Sequence, residues 1–168
     1  MYALPTGAPS NLADAFDHLA SVRVPTVTDL TVMMLLEAAG KQLYDDLADG
    51  CADAGVRRLL QDSGRDEMVH AHRMAEVLQL LTGTPYLVPE NSDNPYLAGR
   101  GKPDLSVPLL DHLIEAEANG QTLYETWAAS CPNQEAATLM RTSGREEMSH
   151  SLRLQRIREG MAEKNVTP

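Results

Sequence analysis

Aromatic residues are scarce in this chain of 168 residues, where one Trp, one Phe and five Tyr make up 4% of the sequence. Methionine is plentiful by comparison, with eight copies. A chain with few aromatic residues suits helices packed through Leu, Met and Ala better than a β-sandwich. The length fits one compact domain that can bury a useful core.

Disulfides, basic surfaces and membrane spans are also not expected. The two cysteines, Cys51 and Cys131, are too few for a disulfide framework or a zinc knuckle, and we predict no bond between them. Lys and Arg number 14 against 24 Asp and Glu, and the net charge of −10 argues against nucleic acid and anionic membranes as partners. The sequence has no apolar run of membrane-spanning length and no signal-peptide pattern, so we expect a soluble, cytoplasmic protein.

The sequence repeats itself at an offset of eighty positions. Residues 33–76 and 113–156 share fifteen identities without a gap. The repeated positions include a carboxylate, a tyrosine, two glycines, an arginine and a Glu-x-x-His pair: Glu37/Glu117, Gly40/Gly120, Tyr44/Tyr124, Gly64/Gly144, Glu67/Glu147, His70/His150 and Arg73/Arg153. Many apolar positions differ between the copies. A repeat maintained only for packing would agree best at its apolar positions, so the pattern indicates a functional site.

Capping residues and apolar periodicity predict four long helices. Their expected ranges are 28–49, 53–81, 106–129 and 131–162. The connection over 83–105 is long enough to carry the chain back along the second helix, so that the third helix runs parallel to the second. The sequence therefore predicts an all-α domain over 28–162, in which two repeated helical hairpins joined by a long crossover form a four-helix bundle.

Segments at both ends of the chain are expected to lie outside this domain. Residues 1–27 contain several prolines and form an N-terminal arm. A short helix near Asn11 to Ala20 is expected to dock on the domain through Phe16 and Leu19. Residues 163–168 are expected to form a short C-terminal tail.

Four glutamates are predicted to converge in the core. Glu37 and Glu117 fall on the apolar stripes of the first and third long helices. A Glu and a His three residues apart on a helix differ by about 60° around the axis, so both side chains can reach one point. Four ionised carboxylates would repel one another strongly in a core, and two divalent cations would neutralise them, with the histidines completing the coordination. The alternative is that these residues are surface Glu and His on amphipathic helices.

These residues resemble the ferritin-like di-metal carboxylate proteins, nearest the rubrerythrin and bacterioferritin branch. The resemblance covers residues 28–162, and its most specific mark is Glu-x6-Tyr followed by Glu-x-x-His about thirty residues after the first Glu, in both repeats. It implies a pair of irons, with manganese as the alternative, and six metal ligands: Glu37, Glu67, His70, Glu117, Glu147 and His150. It also implies that Tyr44 and Tyr124 support the ligands as candidate catalytic residues.

The sequence departs from these relatives at several points. It has no rubredoxin-like tail, so an electron donor would be a separate protein. Ile114 stands where rubrerythrins tend to carry an extra carboxylate, which argues against rubrerythrin-type peroxidase behaviour. No fifth helix is expected after residue 162, so a storage shell is not expected, and a homodimer is the expected assembly.

Other polar residues have simpler explanations. We expect Asp66, Glu115 and Glu146 to be solvated, and His18, His72 and His112 to lie outside the site. Each tyrosine is either a core residue or a hydrogen-bond donor to a ligand Glu. The repeated glycines allow either close helix approach or space beside the metals. The arginines Arg65, Arg73, Arg145 and Arg153 either cover the helices and pair locally or support the carboxylates from outside.

Three functions are consistent with the sequence. The first is a di-iron oxidoreductase that reacts with oxygen or peroxide, as a ferroxidase or a peroxidase; an oxygenase acting on a small organic substrate is a variant of it. The second is an iron-binding or iron-handling protein without turnover. The third is a bundle with a vestigial site whose surface binds protein partners. Metal content separates the third from the others, and the oxidation rate of the ferrous protein separates the first two.

Overall fold

The computed structural model of the protein describes residues 2–166, and the side chains of residues 2–161. This part of the chain is helical and contains no strand, so the predicted all-α class is confirmed. The helices are α1 (Leu12–Ser21), α2 (Val27–Asp49), α3 (Ala54–Thr82), α4 (Val107–Ser130) and α5 (Gln134–Val166). Two short 3-10 helices, Asn91–Asp93 and Pro95–Leu97, lie in the connection between α3 and α4.

Side-chain caps fix where the long helices begin. Thr26 accepts a hydrogen bond from the backbone N–H of Asp29, and the Asp29 carboxylate accepts one in return from the backbone N–H of Thr26. This capping box starts α2 at Val27, slightly earlier than predicted, because Asp29 is the third residue of the helix rather than its cap. Asp53, Ser106 and Asn133 cap the other three long helices.

Two hairpins pack side by side. Helix α2 packs against α3, α4 packs against α5, and α3 contacts α5. The connection over residues 83–106 runs along α2, where the Asn94 amide donates to the Leu35 carbonyl at 2.8 Å and Arg100 donates to Asp46 at 2.7 Å. As a result, α4 begins beside the C-terminal end of α2 and runs back along it.

The N-terminal arm packs against the same assembly. Ala15 and Leu19 of α1 are buried, and the Trp127 indole N–H of α4 donates to the Val22 carbonyl at 3.0 Å. The prediction that Phe16 docks is wrong, because this side chain is 53% exposed. Ala15, which is one turn before Leu19, takes the buried position instead.

The connection over 83–106 covers α2 but not α4. Leu35 and Ala39, which lie on the covered side of α2, are buried. Their equivalents one repeat later, Glu115 and Asn119, are exposed on α4. The two repeats therefore place different residue types at matching positions because only one of them lies beneath the connection.

Helix α5 is longer than predicted. It continues to Val166 rather than ending near residue 162, so most of the predicted tail is helical. Residues 167 and 168 of that predicted tail lie outside the described residues. Within the described part of the chain, none of the helices is both long and apolar enough to cross a membrane.

Candidate metal centre

The six predicted ligands come together at one buried point. One ligand atom from each of Glu37, Glu67, His70 and Glu147 lies within 4.8 Å of the others, and the same holds for Glu67, Glu117, Glu147 and His150. The two groups share Glu67 and Glu147, which come from α3 and α5. Each group adds one Glu and one His of its own. The geometry therefore describes two adjacent positions that could each hold a metal ion.

Both imidazoles turn the same nitrogen towards this point. His70 Nδ1 lies 3.0 Å from a Glu147 oxygen and 3.6 Å from Glu37. His150 Nδ1 lies 3.1 Å from Glu67, 3.3 Å from Glu117 and 3.4 Å from Glu147. His70 Nδ1 is fully buried, yet it makes no hydrogen bond to any described residue. A buried nitrogen that makes no hydrogen bond and is surrounded by carboxylates fits a metal ligand, because a cation would bind the nitrogen and neutralise the carboxylates.

The opposite nitrogen of each imidazole faces a carboxylate from the neighbouring helix. His70 Nε2 lies 3.0 Å from Glu146, which also binds the Arg73 guanidinium. Burial alone would raise the pKa of Glu146, but Arg73 and His70 hold it below the ordinary value. The carboxylate therefore stays ionised and directs His70 Nδ1 towards the centre.

The second repeat has the matching arrangement. His150 Nε2 lies 3.4 Å from Asp66, and Arg153 Nη1 donates to Asp66 at 2.7 Å. The prediction that Asp66 and Glu146 are merely solvated is therefore wrong, whereas Glu115 is exposed as expected. The sequence does carry a signal for this arrangement, because an arginine follows each Glu-x-x-His histidine by three residues. Arg73 and Arg153 therefore support the centre from outside, which is one of the two roles considered for them.

The two tyrosines bind the glutamates of the opposite repeat. The Tyr44 hydroxyl donates to Glu117, and the Tyr124 hydroxyl donates to Glu37. Burial, together with these carboxylates, raises the pKa of both phenols well above 10, so both remain donors. Each tyrosine is thus both a core residue and a hydrogen-bond donor that orients a predicted ligand.

The repeated glycines allow close approach at the centre. A Cβ at Gly40 would lie 3.2 Å from the Glu67 carboxyl, and one at Gly120 would lie 3.5 Å from Glu147 Cγ. A Cβ at Gly64 would lie 3.2 Å from Tyr44 Cβ, and one at Gly144 would lie 3.0 Å from Tyr124 Cβ. These contacts support close helix packing as the reason for the repeated glycines. The packing places Glu67 against α2 and Glu147 against α4.

We expect Gly144→Ala to destabilise the protein by about 1–3 kcal/mol, because the added methyl meets Tyr124 Cβ at 3.0 Å and the Gln121 carbonyl at 3.3 Å. Gly160→Ala is the matched control in the same helix, where a Cβ would meet no atom within 4 Å. It should stabilise the protein by about 0.5–1 kcal/mol through helix propensity. Urea unfolding of both variants measures the difference, and equal effects would contradict close packing at Gly144.

Without a metal, the cluster retains protons. Burial and the neighbouring carboxylates of Glu117, Glu147 and Glu37 raise the pKa of Glu67 well above its usual value. Burial raises the pKa of Glu117 to about 8. Burial would lower the pKa of His70, but Glu147 and Glu37 outweigh it and raise the value to about 11, and His150 shifts in the same direction. Despite its burial, Glu147 has a lowered pKa because both histidines contact it.

Metal binding should therefore release protons. His70, Glu117 and His150 hold protons at pH 7 because their pKa values lie above it, and the raised pKa of Glu67 favours its protonated form in the same way, whereas ligation requires the deprotonated forms. Loading two ions should release up to about four protons, one from each of these groups, and affinity should fall as the pH is lowered. Calorimetry of Mn²⁺ binding in buffers of different ionisation enthalpy measures the release. Binding without proton release would contradict ligation by these residues.

Residues expected to lie outside the site do so. His18 Nε2 lies 2.6 Å from Asp29, where it supports the cap of α2. His72 and His112 are exposed on α3 and α4. Cys51 and Cys131 are both free, which confirms the prediction of no disulfide between them.

The chain matches no protein-family model, no curated protein and no solved structure in the comparisons made with each. The described structure is all-helical and contains buried Glu and His groups that could hold a metal ion. Any narrower assignment depends on the geometry of this centre.

Proposed function

We propose that the protein is a ferritin-like four-helix bundle of two repeated hairpins that holds two iron ions and, when reduced, reacts with oxygen or peroxide. The observation that carries this proposal is the pair of four-residue groups that share Glu67 and Glu147. Carboxylate oxygen and imidazole nitrogen suit Fe²⁺, and Mn²⁺ is the alternative with the same ligands. Bound iron would supply the electrons for reduction of the oxidant.

The residues of the chain have separate roles in this proposal. Glu67 and Glu147 would contact both ions, while Glu37 with His70 would complete one position and Glu117 with His150 the other. Tyr44 and Tyr124 hold the unshared glutamates by hydrogen bonds. Glu146 and Asp66 face the outer nitrogens of the two histidines and keep Nδ1 directed inwards.

The burial of the centre favours a small reactant. Two clefts of about 310 and 380 Å³ lie beside α3 and the connection after it, and none of the six centre residues lines either of them. A diatomic or peroxide molecule needs far less space than an organic substrate of the usual pocket size. Oxygen or peroxide is therefore the preferred oxidant, and electrons for further cycles would come from a separate donor protein.

Rapid mixing tests the proposal. Protein purified without added metal is analysed for iron and manganese, loaded anaerobically with Fe²⁺, and mixed with oxygen or with hydrogen peroxide while the absorbance of ferric products is followed. Oxidation should be much faster than that of free Fe²⁺, and His70→Ala should abolish the acceleration. His72→Ala, an exposed histidine on the same helix, is the control and should behave like the wild type.

Each other outcome favours a different function. Iron that binds but oxidises no faster than free Fe²⁺ would indicate an iron-handling protein without turnover. Oxidation that is rapid only when an organic compound is added would indicate an oxygenase. A chain that binds no metal would support a vestigial site.

A further inference from the structure

The two metal positions differ in how they are covered. On α2, Met34 and Ala38 lie beside Glu37 and are 0% and 1% exposed. Their equivalents on α4, Ile114 and Ala118, lie beside Glu117 and are only half-buried. The connection over 83–106 packs on α2, with hydrogen bonds from Asn94 to Leu35 and from Arg100 to Asp46, whereas Ile114 and Ala118 on α4 are not fully covered. Solvent therefore comes closer to Glu117 on α4 than to Glu37 on α2.

The unshared glutamates show the same difference. The Glu37 side chain is 7% exposed and that of Glu117 is 11% exposed. The hydrogen bond between Tyr124 and Glu37 is buried, whereas the one between Tyr44 and Glu117 is only partly buried. A hydrogen bond that water can reach opens at lower cost, so Glu117 is the easier of the two to displace.

The histidines differ as well. His70 Nε2 makes a hydrogen bond of 3.0 Å to Glu146, and both terminal nitrogens of Arg73 bind that carboxylate. His150 Nε2 lies 3.4 Å from Asp66 and makes no hydrogen bond to any described residue. Because outer hydrogen bonds fix the orientation of a metal-binding imidazole, His150 is held less firmly than His70.

From these three differences we infer that the two ions are not equivalent: the position formed by Glu117 and His150 with the shared glutamates exchanges its ion through the α4 face, and the position formed by Glu37 and His70 retains its ion. This inference rests on the proposed di-metal centre. It assigns the exchangeable position to the second repeat, and it identifies Ile114 and Ala118 as the residues that an ion must pass.

Release kinetics of Co²⁺ test the inference. The full chain is loaded with Co²⁺, mixed with excess EDTA, and followed by the visible absorbance of the bound ion. We expect two phases of equal amplitude that differ in rate by about tenfold or more. Glu117→Ala, which keeps the first position, should retain only the slow phase. Glu37→Ala, which keeps the second position, should retain only the fast phase.

Variants of the α4 face test whether the exchanging ion leaves past Ile114 and Ala118. Ala118→Leu should slow the fast phase several-fold and leave the slow phase unchanged, while Asn119→Leu, on the exposed side of the same helix, should change neither. Ile114→Ala should speed the fast phase and serves as the second variant if Ala118→Leu does not fold.

Two results would overturn the inference. Release of both ions at one rate, or a fast phase that persists in Glu117→Ala, would do so while leaving the di-metal proposal intact. A wild-type chain that binds no Co²⁺, Fe²⁺ or Mn²⁺ would overturn both.

Discussion

Replacing Glu147 by Ala should prevent the protein from binding either of the two proposed metal ions. This carboxylate belongs to both four-residue groups, and it lies 3.0 Å from His70 Nδ1 and 3.4 Å from His150 Nδ1. Loss of a hydrogen-bonding partner outside a metal site typically costs 10–100-fold in affinity, so loss of a shared ligand should cost more than about 100-fold for each ion. Elemental analysis after dialysis should show a fall from about two ions per chain to nearly none.

Two further variants calibrate this result. Glu159→Ala removes an exposed carboxylate from the same helix and should leave the metal content unchanged. His70→Ala should remove about one ion, because His70 belongs to only one of the two groups. Full metal content in the Glu147→Ala protein would show that the ions bind elsewhere.

Trp127→Ala should cause the largest loss of stability among single substitutions in the core. The indole is fully buried, and its N–H donates to the Val22 carbonyl at 3.0 Å. Truncation of a buried Trp leaves a cavity and typically costs about 3–5 kcal/mol, and here it also leaves a backbone carbonyl without its donor. Urea unfolding followed by circular dichroism measures the loss.

Phe16→Ala is the matched control for this substitution. Its ring is 53% exposed, so its removal should change the free energy of unfolding by no more than about 0.5 kcal/mol. A large effect at Phe16 would show that α1 packs through the side opposite to the one described, and a small effect at Trp127 would contradict the burial of its indole.

The sequence was sufficient to predict the long helices and the residues of the centre. Thr, Asp, Ser and Asn caps are local signals, and they placed the helix starts within a few residues of those observed. The fixed spacing of Glu67 and His70 on a helix made their convergence predictable without any tertiary information. The repeat then indicated that a second set of the same residues would meet them.

Contacts between distant helices could not be predicted in the same way. Whether Glu146 faces water or His70 depends on how α3 and α5 are placed, and their sequences do not encode that distance. The docking side of α1 was wrongly predicted because Ala15 gives a weaker hydrophobic signal than Phe16. The unequal cover of α2 and α4 was also not predicted, although Leu35 and Glu115 at matching positions are consistent with it.

The crossed bonds from Tyr44 to Glu117 and from Tyr124 to Glu37 mean that neither half of the molecule can organise the centre alone. Two identical hairpins that assembled as separate chains would have to surround both ions in the same way. One continuous chain can surround the two proposed ion positions differently, because its single linker can cover one position and leave the other accessible. Joining the halves in one chain thus allows the two proposed ions to differ, with one retained and the other exchanged.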